Sequence, residues 1–178
     1  MLVGLAPGRL GGDRTGLPFA GDASGRRLRA ALGSQVQRVY ITNVVKCAPK
    51  ACAVKNSGTD LPTVAFEDGL CRIVQTACMA VNRPPAAAEI GRCRRHLVDE
   101  LAAVRPIGVV ALGRLAERAV QQALGRPVRP GRIGTMAGEA PYLAFLPHPA
   151  SFTYHPDWED AFLGHLRRLA RAAGLPLG

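Results

Sequence analysis

The 178-residue sequence is poor in acidic residues, with 13 Asp and Glu against 23 Lys and Arg. The resulting formal charge of +10 is typical of a protein that meets a polyanion, and nucleic acid is the first candidate. A compositional bias that spreads arginine over solvated surfaces produces the same excess. Charge alone therefore does not decide between these two interpretations.

The sequence also lacks a long hydrophobic run. No apolar stretch approaches the roughly 20 residues that a membrane span needs, and the N-terminus has neither the basic region nor the apolar core of a signal peptide. We therefore expect a cytoplasmic monomer with no membrane partner. A length of 178 residues and 48% hydrophobic content favour one domain, residues 1–178, built on one core.

The order of apolar and amphipathic segments predicts an α/β fold. Strands are expected at Met1–Leu5, Val36–Val45, Ile107–Leu112 and Tyr142–Leu146. Helices are expected at about Ser24–Leu32, Ala86–Val104, Leu115–Leu124 and Asp157–Ala173. This alternation predicts a three-layer sandwich in which helices flank a central, mainly parallel four-stranded sheet. Residues 50–81 show no period of either type and are predicted as an irregular, cysteine-containing insertion.

Three loops that follow predicted strands carry side chains that a core would exclude. They are residues 6–16, 43–49 and 148–152. Ligands of open parallel sheets bind beyond the carboxyl ends of the strands. We therefore expect the functional site at these loops.

At these loops the sequence resembles the uracil-DNA glycosylase superfamily, most closely family 5 and next family 4. The matching segments, in the superfamily's order, are Gly4-Leu5-Ala6-Pro7 with Gly12-Asp13-Arg14-Thr15-Gly16 and 18–25, then 39–49, then 89–93 with Val109-Val110-Ala111-Leu112-Gly113, and finally His148-Pro149-Ala150-Ser151. Any one of these segments would be a weak signal. Their common order and their positions at strand ends make the resemblance specific.

The resemblance implies a monofunctional DNA repair glycosylase. Such an enzyme hydrolyses the N-glycosidic bond of uracil, with other deaminated bases as further substrates, after flipping the nucleotide out of single- or double-stranded DNA. The alternative is a non-catalytic binder of uracil-containing or abasic DNA. An unrelated nucleotide-binding α/β domain is disfavoured, because the sequence has no glycine-rich phosphate loop that ends in Lys-Ser or Lys-Thr.

Three side chains suit the recognition and departure of a uracil. Phe19 lies in a glycine-rich loop and offers a ring for stacking on the base. Asn43 offers an amide carbonyl and NH₂, the pair that reads the N3–H and a carbonyl of uracil. His148, between two prolines, is suited to donate a hydrogen bond to a uracil oxygen. The alternatives are a core Phe19, a capping Asn43 and a purely structural His148.

The remaining catalytic assignment comes from the resemblance. Many superfamily members have a polar, water-activating residue directly after the first strand, where this sequence has Ala6, and family 5 is the branch with alanine there. The resemblance implies that Asp13 positions the water, with help from Asn43, and that Ala6 borders the base. The alternative is an Asp13 that pairs with Arg14 or caps a turn.

DNA contacts are expected from the same loops. Arg14 and Lys46, together with Arg132, are candidates for phosphate contacts, although an exposed arginine is often only solvated. Ser151 is expected to meet phosphate. Phe152 is expected to enter the strand near the vacated base.

Five cysteines, an odd number, argue against a disulfide framework and leave free thiols or a metal centre. Families 4 and 5 carry a 4Fe–4S cluster on an N-terminal Cys-x-x-Cys pair and two later cysteines, whose matching positions are Cys47 and Cys93. The N-terminal pair is absent from this sequence. Three alternatives stay open: the start lies upstream, the cluster is lost, or further ligands come from Cys52, Cys71 or Cys78. A zinc thiolate site is a lesser alternative.

Overall fold

The structure, a computed structural model, describes residues 1–54, 64–67, 70–73, 78–172 and 174, and the side chains of residues 52–80 lie outside this description. The chain divides into two compact units, Met1–Ala48 with Pro85–Gly178, and Pro49–Pro84. Among the described residues, no helix is long and apolar enough to cross a bilayer.

The described strands and helices follow one another in a largely alternating order. They are β1 (Leu2–Gly4), α1 (Gly12–Thr15), α2 (Ala23–Leu32), β2 (Ile41–Asn43), β3 (Lys50–Val54), β4 (Val64–Glu67), β5 (Leu70–Ile73), β6 (Cys78–Asn82), α3 (Ala87–Val104), β7 (Gly108–Leu112), α4 (Arg114–Ala123), β8 (Met136–Ala137), β9 (Tyr142–Leu146) and α5 (Trp158–Ala172). Two 3₁₀ helices complete the list, Gly33–Arg38 and Pro149–Thr153.

The larger unit contains a five-stranded sheet in the order β2-β1-β7-β9-β8. The first four of these strands are parallel to their neighbours, and β8 runs antiparallel to β9 at the edge. The predicted α/β class and mainly parallel sheet are thus confirmed. The prediction of four strands missed β8, because a strand of two residues shows no period in the sequence.

Two other predictions need correction. The predicted strand Val36–Val45 is mostly wrong, since residues Gly33–Arg38 form a 3₁₀ helix and only Ile41–Asn43 is strand. Val36 and Val39 pack against the core from outside a strand, so their apolar character reflects burial and not strand geometry. The prediction that residues 50–81 are irregular is also wrong, because β3 pairs with β6 and β4 pairs with β5. None of these four strands alternates strictly between apolar and polar residues, so the sequence did not indicate them.

Helices cover both faces of the sheet, which makes the three predicted layers. Strand β7 shows this best: Val110 and Leu112 belong to a core cluster with residues of α2 and α5, whereas Val109 and Ala111 belong to a cluster with residues of α3 and α4. A strand buried on both faces must be apolar at every position, which is why its sequence is a continuous apolar run.

The strand register brings the site loops to one edge of the sheet. Gly4 at the end of β1 is opposite Asn43 at the end of β2, and Leu112 at the end of β7 is opposite Leu146 at the end of β9. The chain leaves all four strands at this carboxyl edge. The loops that follow are therefore neighbours although they are far apart in sequence.

Helix α2 holds the loop that carries Phe19. Its N-cap residue Asp22 accepts a hydrogen bond from the backbone N–H of Gly25 at 2.7 Å. The guanidinium of Arg29 donates to the carbonyl oxygen of Phe19 at 2.7 Å and to that of Pro18 at 3.1 Å. A Cβ at Gly25 would overlap the carbonyl group of Phe19. The loop is thus tied to the helix at several points.

We predict that Gly25→Ala destabilises the protein, although alanine is the better helix former by about 1 kcal/mol. The added methyl group would push the backbone of Phe19 away from α2, at a cost of about 1–3 kcal/mol. Gly91→Ala is the matched control, since Gly91 lies within α3 and no described atom stands within 4 Å of its added Cβ. The Gly91→Ala control should raise the free energy of unfolding by about 0.5–1 kcal/mol. Urea unfolding measures this free energy for both variants, and an increase in both would contradict the prediction.

Candidate active site

Gly4 is the point at which two predicted site residues converge. A Cβ at this position would lie 2.5 Å from the side-chain oxygen of Asn43 and 2.6 Å from Cε2 of Phe19. Only a residue without a side chain lets the amide and the ring approach the end of β1 so closely. Gly4 is therefore part of the site, a role that its place in the sequence motif did not reveal.

The Asn43 side chain is 3% exposed, and its oxygen is buried without a hydrogen-bond partner among the described residues. Most buried polar atoms in folded proteins have a partner, so an unpaired one calls for an explanation. A capping asparagine would spend this oxygen on a backbone N–H. The free oxygen instead suits the recognition of a ligand that brings its own donor.

His148 follows β9 and caps the 3₁₀ helix Pro149–Thr153. Its Nδ1 accepts a hydrogen bond from the backbone N–H of Ala150 at 3.1 Å. A neutral imidazole that accepts at Nδ1 carries its proton on Nε2. Burial lowers the pKa of His148, while the negative charge of Asp22 opposes this shift. The ring is thus a neutral Nε2–H donor near pH 7, so capping and donation coexist.

The Phe19 ring lies beside His148, with 5.5 Å between ring centroids and a 37° angle between the planes. Its backbone has a φ of 51°, which a residue with a Cβ adopts only under constraint. The bonds from Arg29 to the loop are the evident constraint. Phe19 is also 8% exposed and belongs to the core cluster beneath α2. It therefore joins the core to the site.

A cavity of about 230 Å³ opens beside Asn43. Its lining residues are Pro7, Gly12, Asp13, Gly16, Pro18, Thr42, Asn43, Lys46 and Ala48. The structure thus brings Asp13, Asn43 and Lys46 to one cavity. Ala6 is half-buried against the core on the α3–α4 face and is not among the described lining residues. The predicted contact of Ala6 with the base has no support from this arrangement.

Lys46 does not fit its predicted role as a phosphate contact. Its ammonium group donates to Thr42 Oγ1 at 2.9 Å, to the backbone carbonyl oxygen of Asn43 at 2.7 Å and to Glu100 Oε2 at 2.7 Å. An ammonium group has three protons, so its donor capacity is used inside the protein. Thr42 also donates to Glu100, at 3.0 Å. No local pattern in the sequence predicts this cluster, because Glu100 is 54 residues from Lys46.

The other four predicted DNA contacts differ in their surroundings. Arg14 is exposed on α1, as a phosphate contact requires. Ser151 donates its hydroxyl proton to the carbonyl oxygen of His148 at 2.6 Å, so that donor is already used. Phe152 is 2% exposed and packs edge-on against Phe162, with 5.1 Å between centroids. The prediction that Phe152 enters DNA is therefore corrected. Arg132 lines a different cavity.

The two cysteines at the positions matched to cluster ligands belong to the larger unit. Cys47 is exposed, Cys93 lies half-buried on α3, and both are free thiols. The described residues contain no group of three or more potential metal ligands. A 4Fe–4S cluster uses four cysteine thiolates, so these residues alone do not fit it. The side chains of Cys52, Cys71 and Cys78 lie outside the described residues.

Comparison with known proteins gives consistent matches. Residues 1–169 match the family model described as the uracil DNA glycosylase superfamily. The type-5 uracil-DNA glycosylase of Pyrobaculum aerophilum is 35% identical over an alignment that covers 98% of this chain and 72% of that protein. The type-5 enzyme of Thermus thermophilus is 30% identical over 94% and 68%. The type-4 enzyme of Archaeoglobus fulgidus is 27% identical over 98% and 76%.

We predict that Lys46→Met leaves the salt dependence of DNA affinity unchanged. A lysine that contacts phosphate contributes about one unit to the slope of log affinity against log salt, whereas the ammonium of Lys46 is used by Thr42, Asn43 and Glu100. Filter binding across a salt series measures the slope. Arg14→Met, a change at an exposed cation, is the matched control and should reduce the magnitude of this slope. A smaller slope with Lys46→Met would instead support a phosphate contact for Lys46.

The 4Fe–4S cluster stays a prediction of the resemblance, and elemental analysis tests it. Purified protein that holds the cluster should contain about four iron and four sulfide per chain. Cys47→Ser or Cys93→Ser should then lower the iron content, because each replaces a thiolate ligand. An iron-free, colourless protein would refute the cluster, and bound zinc in its place would favour a thiolate zinc site.

Proposed function

The chain belongs to the uracil DNA glycosylase superfamily, and on this basis we propose that it excises uracil from DNA. Membership confirms the resemblance seen in the sequence, and with it the expectation of a DNA glycosylase, a hydrolase of N-glycosidic bonds. The single observation that carries the proposed substrate is the buried, unpaired side-chain oxygen of Asn43.

Recognition of uracil follows from the donors and acceptors on the two partners. Uracil offers an N3–H donor flanked by two carbonyl acceptors. The Asn43 oxygen accepts from N3–H, and its NH₂ group donates to the neighbouring carbonyl. Cytosine carries a lone pair at N3 and would leave the Asn43 oxygen facing another acceptor. A buried carbonyl left without a donor costs about 1–3 kcal/mol, which favours uracil over cytosine.

Cleavage requires stabilisation of the leaving base. When the bond between C1′ and N1 breaks, its electron pair stays with uracil and the negative charge spreads onto the carbonyl oxygens. The Nε2–H of His148 is the donor proposed for one of these oxygens. Because burial lowers the pKa of His148, it acts as a neutral hydrogen-bond donor. A preorganised donor of this kind is worth about 10²–10³ in rate.

Water completes the reaction at the sugar. We assign its positioning to the carboxylate of Asp13, which shares the 230 Å³ cavity with Asn43. The water oxygen bonds to C1′ as the base leaves, and the carboxylate takes one proton of that water. The departing uracil anion takes up a proton from solvent, and the carboxylate of Asp13 releases its proton to solvent. The products are free uracil and an abasic site. No amine nucleophile is required, which is consistent with a monofunctional enzyme.

Access to the bond requires the nucleotide to leave the base stack. Flipping costs a few kcal/mol, and stacking of the base on an aromatic ring recovers part of that cost. The ring of Phe19, held beside His148, is the proposed platform. The net charge of +10 supports attraction of either single- or double-stranded DNA.

Other deaminated bases are further proposed substrates. Hypoxanthine and xanthine each carry an N–H next to a carbonyl, the pattern that Asn43 reads. Oligonucleotides with each base in place of uracil test this proposal.

The proposed roles predict that His148→Ala and Asn43→Ala lower kcat far more than they weaken binding. Loss of the His148 donor should reduce kcat by about 10²–10³. The assay incubates a labelled uracil oligonucleotide, single-stranded or duplex, with enzyme and then cleaves the abasic product with alkali. Binding is measured on the same DNA.

His96→Ala is the control, because His96 is exposed on α3, and it should behave like the wild type. Wild-type protein that binds uracil DNA without forming abasic sites would favour the non-catalytic binder. Equal losses of binding and turnover in the His148 and Asn43 variants would contradict their assigned roles.

A further inference from the structure

Glu100, near the end of α3, accepts hydrogen bonds from the segment that carries Asn43. Its carboxylate accepts from Thr42 Oγ1 at 3.0 Å and from the ammonium group of Lys46 at 2.7 Å. The Tyr40 hydroxyl is a third partner, and burial, the negative charge of Glu100 and this hydrogen bond together raise the pKa of Tyr40. One carboxylate of a helix thus binds three side chains of residues 40–46, the segment that contains β2.

The carboxylate and the Asn43 amide lie on opposite faces of the sheet. Thr42 pairs with Val3, which belongs to the core cluster on the α3–α4 face. Asn43 pairs with Gly4, and its side-chain oxygen lies on the side of Phe19, which belongs to the cluster beneath α2. Successive residues of a strand point to opposite faces in this way. A group on α3 therefore acts on the amide through the backbone.

The backbone carbonyl of Asn43 provides that connection. β2 is the outermost strand of the five-stranded sheet, so backbone groups on its outer side have no neighbouring strand. Tyr40 and Val44 bond to β1, and Asn43 is out of phase with both, so its carbonyl group points away from that strand. The ammonium group of Lys46 donates to this carbonyl oxygen at 2.7 Å while it is paired with Glu100.

We propose that Glu100 is a positioning residue for uracil recognition, which acts through Lys46 to fix the backbone at Asn43 and thereby the direction of the Asn43 amide. The proposal rests on the proposed function, in which Asn43 reads the base. The side-chain oxygen of Asn43 has no hydrogen-bond partner among the described residues. Its direction therefore depends on packing and on the backbone. A displacement of about 1 Å can cost about 10²-fold in rate.

A carboxylate suits this position better than an amide of the same shape. The two carboxylate oxygens together accept from a hydroxyl group, a phenol and an ammonium group. Glutamine replaces one of these oxygens with an NH₂ donor, which would face the donors of Thr42 or Lys46. Glu100→Gln should therefore release the ammonium group of Lys46 and leave the Asn43 carbonyl without a fixed donor.

The first test measures kcat on a single-stranded uracil oligonucleotide. Glu100→Gln should lower kcat at least about tenfold, because the amide is no longer held in place. Lys46→Met breaks the same connection at its other residue and should cause a loss of similar size, so it serves as the second variant if Glu100→Gln does not fold. Asp99→Asn is the matched control, because Asp99 is the preceding and exposed acid of α3. It should leave kcat unchanged.

A double substitution shows whether Glu100 acts through Asn43. In the Asn43→Ala background, Glu100→Gln should change kcat less than about twofold, because residues that act as one unit have non-additive effects. A general loss of stability would instead lower kcat by the same factor in both backgrounds, and that result would overturn the proposal. An unchanged kcat in the single variants Glu100→Gln and Lys46→Met would overturn it as well.

A spectroscopic measurement tests the positioning without turnover. The Asn43 side-chain NH₂ gives a pair of N–H signals in a heteronuclear NMR spectrum, and their loss in Asn43→Ala identifies them. Glu100→Gln should shift or broaden these signals, and Asp99→Asn should leave them in place. Unchanged Asn43 signals in Glu100→Gln would overturn the proposal whether or not the enzyme is active. Wild-type protein that cleaves no uracil DNA would count against the proposed function.

Discussion

The edge of the sheet where Gly4 faces Asn43 is the constraint on which the site depends. A side chain at Gly4 would collide with the Asn43 amide and the Phe19 ring, so its absence lets both lie against the end of β1. The parallel pairing of β1 with β2 fixes that register, and the two-sided core fixes the sheet. Strand register thus places the Asn43 side chain, and the segments that follow β1 and β2 supply most of the lining of the pocket.

Several cations of this basic protein stabilise the structure and are not free for a polyanion. Lys46 is bonded to Thr42, Asn43 and Glu100, and Arg29 holds the carbonyl groups of the Phe19 loop. Arg114 donates to the buried Glu117 and lies 4.0 Å from the centre of the Phe145 ring. The positive charge still acts at long range, since attraction of DNA depends on the summed field and not on contact. Contacts, however, cannot be assigned from charge alone.

Features that leave a local pattern in the sequence could be predicted, and features that depend on contacts between distant residues could not. Strands buried on both faces are continuous apolar runs, and polar residues at or just beyond their ends, such as Asn43 and His148, lie at the site. The pairing of Lys46 with Glu100 joins residues far apart in sequence and leaves no local pattern. The burial of Phe152 depends on a five-residue 3₁₀ helix, whose period of three does not show in so short a segment.

The unpaired Asn43 oxygen connects stability with selectivity. A buried acceptor without a donor costs the free protein about 1–3 kcal/mol, and only a surrounding structure that fixes the amide can maintain it. Lys46 supplies part of that structure, because its ammonium group donates to the backbone carbonyl oxygen of Asn43 and also to Glu100 on α3. A base that presents an N–H at this point removes the cost, and a base that presents a lone pair adds repulsion. Under the proposed function, the selectivity for uracil therefore originates in the fold itself, through an acceptor that the protein positions but does not satisfy.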